Sequence, residues 1–371
     1  MIILGSTGSI GTNTLEIAKR FNLKVEILGA GSNISLLNKQ ILAHKPQAII
    51  IANKSDKDKI TKEFSGKIYC GKSGILEALK DSNSSLVVNA LVGFLGLEPT
   101  LLAQSLNKTI ALANKESLVA GGHLIDTDKI IPIDSEHFSL SYLLNFSKTK
   151  TFKNLYITAS GGAFRDTPLN EIPHKKAQDA LKHPNWQMGK KITIDSATMV
   201  NKLFEILEAY HLFKTKNIHA FIERNSHIHA LVEFYDGSIT SHFASANMQL
   251  PIAYALALGL ESKILQDSAP LVNPLNFTNI NYKLEPICKT RYPLWELKEE
   301  LLDNPKLGLC LNAANEIAVE AFLQDKITFS KIAELVKDSI NTFKNTNFHS
   351  LEEILALDKE VRHYTTSKLK K

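Results

Sequence analysis

Ile2-Ile-Leu-Gly5-Ser-Thr-Gly8-Ser-Ile-Gly11-Thr-Asn-Thr-Leu15 opens the chain. A β-branched run enters a Gly/Ser turn, and apolar residues at helical spacing (Leu15, Ala18, Phe21) follow it. Glycines allow a tight turn and let backbone amides approach a pyrophosphate, which then lies at the positive end of the next helix. Between a strand and an amphipathic helix, at the head of an alternating domain, such a turn predicts a dinucleotide site. The alternation continues outward. Short β-branched runs at 2–4, 25–28, 48–51, 86–89, 109–112 and 130–133 are separated by helical stretches, which predicts a parallel, doubly wound sheet.

The end of the second run is informative. An NAD enzyme usually carries Asp or Glu there to bind the ribose 2′-hydroxyl. Here Val25-Glu-Ile-Leu28 is followed by Gly29-Ala-Gly31-Ser32-Asn33, and Glu26 lies too early. A neutral, hydrogen-bonding end tolerates a 2′-phosphate and favours NADP, although no Arg or Lys occupies the turn.

Beyond this domain, residues 150–260 mix strands with one strong helix, a Pro- and Asn-containing stretch (268–292) reads as a linker, and the remainder is helical in pattern. The expected division is 1–140 for an N-terminal NADP-binding domain of Rossmann-like α/β type, 141–267 for a central α+β catalytic domain, then the linker, then 293–371 as a C-terminal helical domain. The net charge of +5 is spread along the chain rather than gathered in a basic stripe, which argues against a nucleic-acid partner. No apolar run approaches the roughly 20 residues of a membrane span. Cys70, Cys288 and Cys310 form no Cys-x-x-Cys pair and read as buried thiols of a reducing compartment. The opening lacks a charged segment before its apolar run, so it is expected to be a first strand rather than a signal peptide, and the location cytoplasmic.

Four segments carry chemistry. Pro132-Ile-Asp134-Ser135-Glu136-His137 follows a strand, and alternation places Asp134 and Glu136 on one face, with His137 opposite. Two such carboxylates repel unless a cation joins them, and oxygen ligands without thiolate point to Mg²⁺ or Mn²⁺ rather than zinc. A polar strand end facing water is the plainer alternative. In the segment 183–209 the pattern turns helical beyond Ser196, with Met199, Leu203, Ile206, Leu207 and Tyr210 as an apolar stripe. Ser196, Asn201 and Lys202 gathered near a helix start suit a phosphate, and Glu205 beside them suits the carboxylate site, although a surface Lys–Glu pair has the same spacing. Trp186 and Met188, between Pro184 and Gly189, read as a lid or as core anchors. Ser160-Gly161-Gly162 and Asn114-Lys115-Glu116 each follow a strand and offer anion or ligand contacts, as an ordinary loop also would.

In this order, GSTGSIG from Gly5, ANKES from Ala113, PIDSEH from Pro132, SGGAF from Ser160, HPNWQMG from His183, IDSATMVNK from Ile194 and LNAANE from Leu311 closely resemble the 1-deoxy-D-xylulose 5-phosphate reductoisomerase family. The resemblance implies NADPH-dependent isomerisation and reduction of that sugar phosphate to 2-C-methyl-D-erythritol 4-phosphate, an isoprenoid precursor, by a homodimer using Mg²⁺, Mn²⁺ or Co²⁺. It implies cofactor contacts at Thr7, Gly8, Ser9, Ile10, Gly31, Ser32, Asn33, Asn114, Glu116 and Gly189. Asp134, Glu136 and Glu205 match the metal carboxylates. Lys115, Ser135, Ser160, His183, Ser196, Asn201 and Lys202 match substrate ligands, and Trp186 and Met188 a flap. The chain departs from the family pattern at Leu203-Phe204, where Gly-Leu is common, at Ser32, where many members are basic, and at Ala246-Asn247-Met248-Gln249. The rival readings are a metal-independent NADP dehydrogenase of a phosphorylated aldehyde and an NADP-sensing regulator. No cysteine occupies a nucleophile motif, against an acylating dehydrogenase. A regulator needs no clustered carboxylates.

Overall fold

The computed structural model describes residues 1–146, 151–186, 188–266, 270–276, 278 and 281–369. Its strands are β1 (Ile2–Leu4), β2 (Ile27–Ala30), β3 (Ala48–Ile51), β4 (Lys67–Cys70), β5 (Leu86–Asn89), β6 (Thr109–Leu112), β7 (Ile130–Pro132), β8 (Phe152–Ala159), β9 (Ile218–Glu223), β10 (Ile228–Phe234), β11 (Ile239–Phe243) and β12 (Leu284–Pro286). The helices are α1 (Ser9–Arg20), α2 (Ile34–His44), α3 (Gly71–Asp81), α4 (Leu97–Ser105), α5 (Lys115–Gly121), α6 (Ser135–Phe146), α7 (Ala177–Ala180), α8 (Lys190–Thr198), α9 (Val200–Phe213), α10 (Gln249–Gly259), α11 (Lys298–Asp303), α12 (Leu307–Leu323), α13 (Phe329–Phe343) and α14 (Leu351–Lys368). The chain divides into two compact units.

The first unit comprises Met1–Asn114, Ile125–Phe138 and Asn247–Asn273. Seven parallel strands run in the order β4-β3-β2-β1-β5-β6-β7, so the chain reverses its direction of travel across the sheet between β1 and β5. Strands buried on both faces read as continuous apolar runs. Ile2, Ile3 and Leu4 are fully buried, and so is the run Leu86–Val88. The expected α/β class is therefore the observed one. Two details differ. The second strand runs two residues later than its apolar run suggests, which carries Gly29 and Ala30 into the sheet. The unforeseen β4 is a four-residue edge strand that begins at exposed Lys67 and buries only Tyr69, too short and too polar to register as an apolar run. Helix α10 also belongs to this unit: Ile252, Ala253 and Leu256 share a core with Leu15, Ala18 and Ile3.

The second unit comprises Lys115–Leu124, Ser139–Ala246 and Pro274–Lys371. Its sheet has the order β11-β10-β8-β9-β12, with β8 and β9 parallel and the other pairs antiparallel. A parallel pair needs a crossover, and α8 and α9 supply it. The C-terminal helices are amphipathic, as α13 illustrates by burying Phe329, Ile332, Leu335, Val336, Ile340 and Phe343. They share a core with α7 and α8, Ala318, Phe322 and Ile332 lying among Ala177, Ala180 and Ile194.

Each unit is assembled from three separated stretches of chain. Burial of apolar faces, not chain order, selects partners for α5, α10 and α12. Part of the expected linker is a strand, since β12 pairs with β9 through Glu285 opposite Ile222; residues 267–269, 277, 279 and 280 lie outside the described ones. The thiols are free, but only Cys310 is buried; Cys288 is exposed and Cys70 half-buried.

Candidate active site

The Gly-rich turn of the first unit lies beyond the carboxyl end of β1, at the reversal of strand order where such sheets bind ligands. Gly5 adopts φ +87°, and a Cβ on Gly11 would stand 2.3 Å from the Gly5 carbonyl oxygen, so both positions require glycine. The turn closes with the Gly8 amide donating to Gly5 O at 3.0 Å, and α1 starts with no acidic side chain in its first turn. Thr7 and Ile10 are half-buried, Gly8 and Ser9 exposed. Beneath them Ser6 Oγ donates to Gln40 Oε1 and Gln40 Nε2 to Ser6 O, both at 2.8 Å. This buried brace to α2 carries no sequence signal.

Gly31, Ser32 and Asn33 lie exposed at the end of β2. Asn33 also caps α2, its Oδ1 accepting from Leu36 N at 3.1 Å. Glu26 sits at the opposite end of that strand, where its carboxylate accepts from Ser84 Oγ. The observed end of β2 thus lacks a carboxylate, as the sequence predicts. Asn114 is buried, with Nδ2 donating to Leu91 O at 2.9 Å and Gly93 O at 2.8 Å.

Asp134 and Glu136 stand at a helix start rather than along a strand, because β7 ends at Pro132 and α6 begins at Ser135. Strand alternation therefore does not relate them. Asp134 Oδ1 instead accepts from the Glu136 amide at 3.2 Å, while Glu136 Oε2 accepts from Ser135 Oγ at 2.6 Å. His137 does not point away: fully buried, its Nδ1 lies 2.9 Å from the same Asp134 oxygen. A ring held so orients a carboxylate as outer-shell partners of metal ligands do.

The second unit gathers two clusters near the carboxyl end of β8. In the first, His183 Nε2 lies 3.0 Å from Ser160 Oγ and 3.2 Å from Ser196 Oγ. Its Nδ1 accepts the amides of Trp186 at 2.9 Å and Asn185 at 3.2 Å. That pattern leaves the proton on Nε2, and burial, with Arg165 adding repulsion, pulls the imidazole down to about 4. The turn below is tight: a Cβ on Gly162 would stand 2.6 Å from Ser196 O. Arg165 Nη1 and Tyr292 Oη, which no motif marks, donate to Ser160 O at 2.8 Å and Gly161 O at 2.7 Å. Trp186 and Met188 are half-buried, and Trp186 meets His229 edge-on, ring centres 6.4 Å apart.

In the second cluster, three nitrogen donors converge on Glu205. Lys115 Nζ reaches Oε1 at 2.8 Å and Asn201 Oδ1 at 3.0 Å; Asn201 Nδ2 reaches the same Glu205 oxygen at 2.5 Å. Lys202 Nζ donates to Glu205 Oε2 and to Thr158 O. The helix does not begin at Ser196: α8 already starts at Lys190, Gly189 being its N-cap, and a left-handed Met199 (φ +68°) separates it from α9. Helix α9 is buried nearly all round, so Lys202 and Glu205 are both 2% exposed rather than on a polar face. A solvent-exposed Lys–Glu pair is thereby excluded. Glu116, also buried, accepts from Lys191 Nζ at 3.0 Å, which helps hold its carboxyl below the ordinary range against the opposing effect of burial.

Family models described as 1-deoxy-D-xylulose 5-phosphate reductoisomerase match residues 1–122, with its C-terminal domains matching 130–213 and 243–364. The chain is 55% identical to the 1-deoxy-D-xylulose 5-phosphate reductoisomerase of Wolinella succinogenes over 98% of this chain and 99% of the relative. It is 51% identical to the enzyme so named from Helicobacter pylori, over 98% of each. A crystal structure of DOX-P reductoisomerase with NADPH, fosmidomycin and magnesium matches with TM-score 0.90 and 33% identity, covering 100% of this chain and 98% of that one. The Zymomonas mobilis enzyme with NADPH matches at 0.87 and 33%, covering 99% and 98%. By sequence over its whole length and by fold, the chain belongs to the 1-deoxy-D-xylulose 5-phosphate reductoisomerase family.

Proposed function

We propose a division of labour among these residues for the family's reaction. The chain is an NADPH- and divalent-metal-dependent oxidoreductase that isomerises and reduces 1-deoxy-D-xylulose 5-phosphate to 2-C-methyl-D-erythritol 4-phosphate, a step toward isoprenoid precursors. The observation that carries the site assignment is the gathering of Lys115, Asn201 and Lys202 on buried Glu205, alongside the Ser160–His183–Ser196 cluster.

Asp134, Glu136 and Glu205 hold the cation. As an all-carboxylate donor set they suit Mg²⁺ or Mn²⁺. Bound there, a divalent ion supplies Lewis-acid stabilisation of developing oxygen charge, and NADPH supplies the hydride. His137 orients Asp134 by occupying one of its oxygens. Thr7, Gly8, Ser9 and Ile10 receive the cofactor pyrophosphate at the start of α1; Gly31, Ser32 and Asn33 receive its ribose end, and Asn114, Glu116 and Gly189 line its path.

Ser160, Ser196, Asn201 and Lys202 take the phosphate, with neutral His183 donating from Nε2 to the serine oxygens. Lys115 and Ser135 hold the sugar oxygens. Phosphate binding supplies energy remote from the reacting carbons, which closes the segment carrying Trp186 and Met188 and excludes water. The enzyme works in the cytoplasm as a homodimer. Support for a second copy comes from β11, an edge strand with exposed Ile239, next to exposed Tyr235.

The test is NADPH consumption with 1-deoxy-D-xylulose 5-phosphate and with other phosphosugars, before and after chelation of divalent metal. Turnover confined to the first substrate and abolished by chelation is expected. Reduction that survives chelation would return the chain to the metal-independent dehydrogenase reading. Light scattering in solution checks the dimer, and a monomer at working concentration removes it.

A further inference from the structure

Lys191 lies at the start of α8, outside every role assigned above. Its ammonium donates to Glu116 Oε1 on α5 at 3.0 Å and to Asp195 Oδ2 on α8 at 2.8 Å. The other Asp195 oxygen accepts Asn315 Nδ2 from α12 at 2.7 Å. The same ammonium lies 5.0 Å from the ring centre of Phe204 on α9. Glu116, Asp195, Phe204 and Asn315 are each no more than 8% exposed.

The sequence positions of these contacts give them meaning. Glu116 follows Lys115, Asp195 precedes Ser196 and Phe204 precedes Glu205. One ammonium therefore touches the chain neighbour of a site residue on each of three helices, and Asn315 ties that arrangement to a fourth. Buried ion pairs add little net stability over apolar packing of the same volume, so fold stability alone gives a charged cluster here no advantage. A charged hub does, however, fix the register between helices through directional bonds, and a displacement near 1 Å is enough to slow a positioned reaction strongly.

We propose that Lys191 is a positioning residue: with Glu116, Asp195, Asn315 and Phe204 it fixes Lys115, Ser196 and Glu205 relative to one another for substrate binding and turnover. The proposal rests on the assignment of those three as site residues. Asn315 accounts for part of the Leu311-Asn-Ala-Ala-Asn-Glu316 motif, and Phe204, where the family often has Leu, supplies an aromatic face for the ammonium.

The experiment uses the full chain with NADPH and Mg²⁺ and compares Lys191→Met, Lys191→Arg, Asn315→Ala and Ser196→Ala. Turnover is normalised to folded protein and measured well below each variant's unfolding midpoint. Lys191→Met is expected to lower kcat about 10- to 100-fold and raise KM for the sugar phosphate. Lys191→Arg should recover most of the turnover, and Asn315→Ala, which keeps every charge, should lose about fivefold or more. Should Lys191→Met not fold, Lys191→Met/Asp195→Asn removes the excess negative charge and is read in its place. A kcat within twofold of wild type in Lys191→Met or its double variant, with only the midpoint lowered, overturns the proposal. Ser196→Ala separates the two levels. If it leaves sugar-phosphate binding unchanged, the site assignment falls and takes this proposal with it. If it weakens binding while Lys191→Met does not, the positioning role alone is wrong.

Discussion

Replacing Glu205 by Gln isolates the third carboxylate from its shape. In the structure one oxygen receives Lys115 at 2.8 Å and Asn201 at 2.5 Å, the other receives Lys202, and the residue is 2% exposed. The amide keeps an acceptor oxygen but removes the charge that both ammonium groups share. Removing one partner of a buried pair costs about 3–5 kcal/mol, and the amide nitrogen, which only donates, must then face Lys202 or Lys115 whichever way the group turns. A domain is stable by about 5–15 kcal/mol, so the variant is expected to fold, with a midpoint lowered by roughly 6–20 °C. Turnover should fall about 10²- to 10³-fold or more, the range for losing an electrostatic stabiliser of the transition state. The assay is calorimetric titration of Mg²⁺ or Mn²⁺, followed by NADPH consumption and thermal unfolding. Adding Lys202→Met separates stability from chemistry: it should return much of the midpoint and none of the metal affinity. Unchanged metal affinity and turnover in Glu205→Gln would remove this residue from the site and leave Asp134 and Glu136 without their third ligand.

Because the end of β2 carries no carboxylate, kcat/KM should favour NADPH over NADH by roughly 10- to 150-fold, the equivalent of one charged hydrogen bond; equal use of both refutes this. Lys202→Ala should lower kcat as well as raise KM, since phosphate energy orients the reacting carbons; a rise in KM alone makes Lys202 a tether. Acid should weaken the fold through His211, which burial lowers from 6.5 to about 4. The unfolded chain binds a proton there first, so stability is complete above pH 6.5 and about 3 kcal/mol is lost by pH 4. Unfolding by urea at both pH values, compared with His211→Gln, checks it: the variant should lose less between them, and an equal loss removes His211 as the cause.

Much of this protein is legible in sequence because the signals are local. The Gly5–Gly11 turn between a buried strand and an amphipathic helix marks the parallel α/β unit, since both glycine requirements arise within seven residues of chain. The missing carboxylate near Ser32 is legible for the same reason. Local reasoning erred where a short segment changes type. Pro132 ends β7 two residues before Asp134, so the carboxylates beside His137 belong to a helix start, and alternation could not locate His137. Met199 interrupts what reads as one helix, because a left-handed residue is set by its packing and has no composition to announce it. Only the tertiary structure decided that Glu205 is buried among Lys115, Asn201 and Lys202, for Lys115 comes from 90 residues away. The same holds for Asp195 and Asn315, separated by 120 residues and joined by one hydrogen bond. Chain neighbours reveal propensity and turn chemistry; the partners of a buried charge depend on which helices pack together, and that is settled by burial of apolar surface over the whole unit.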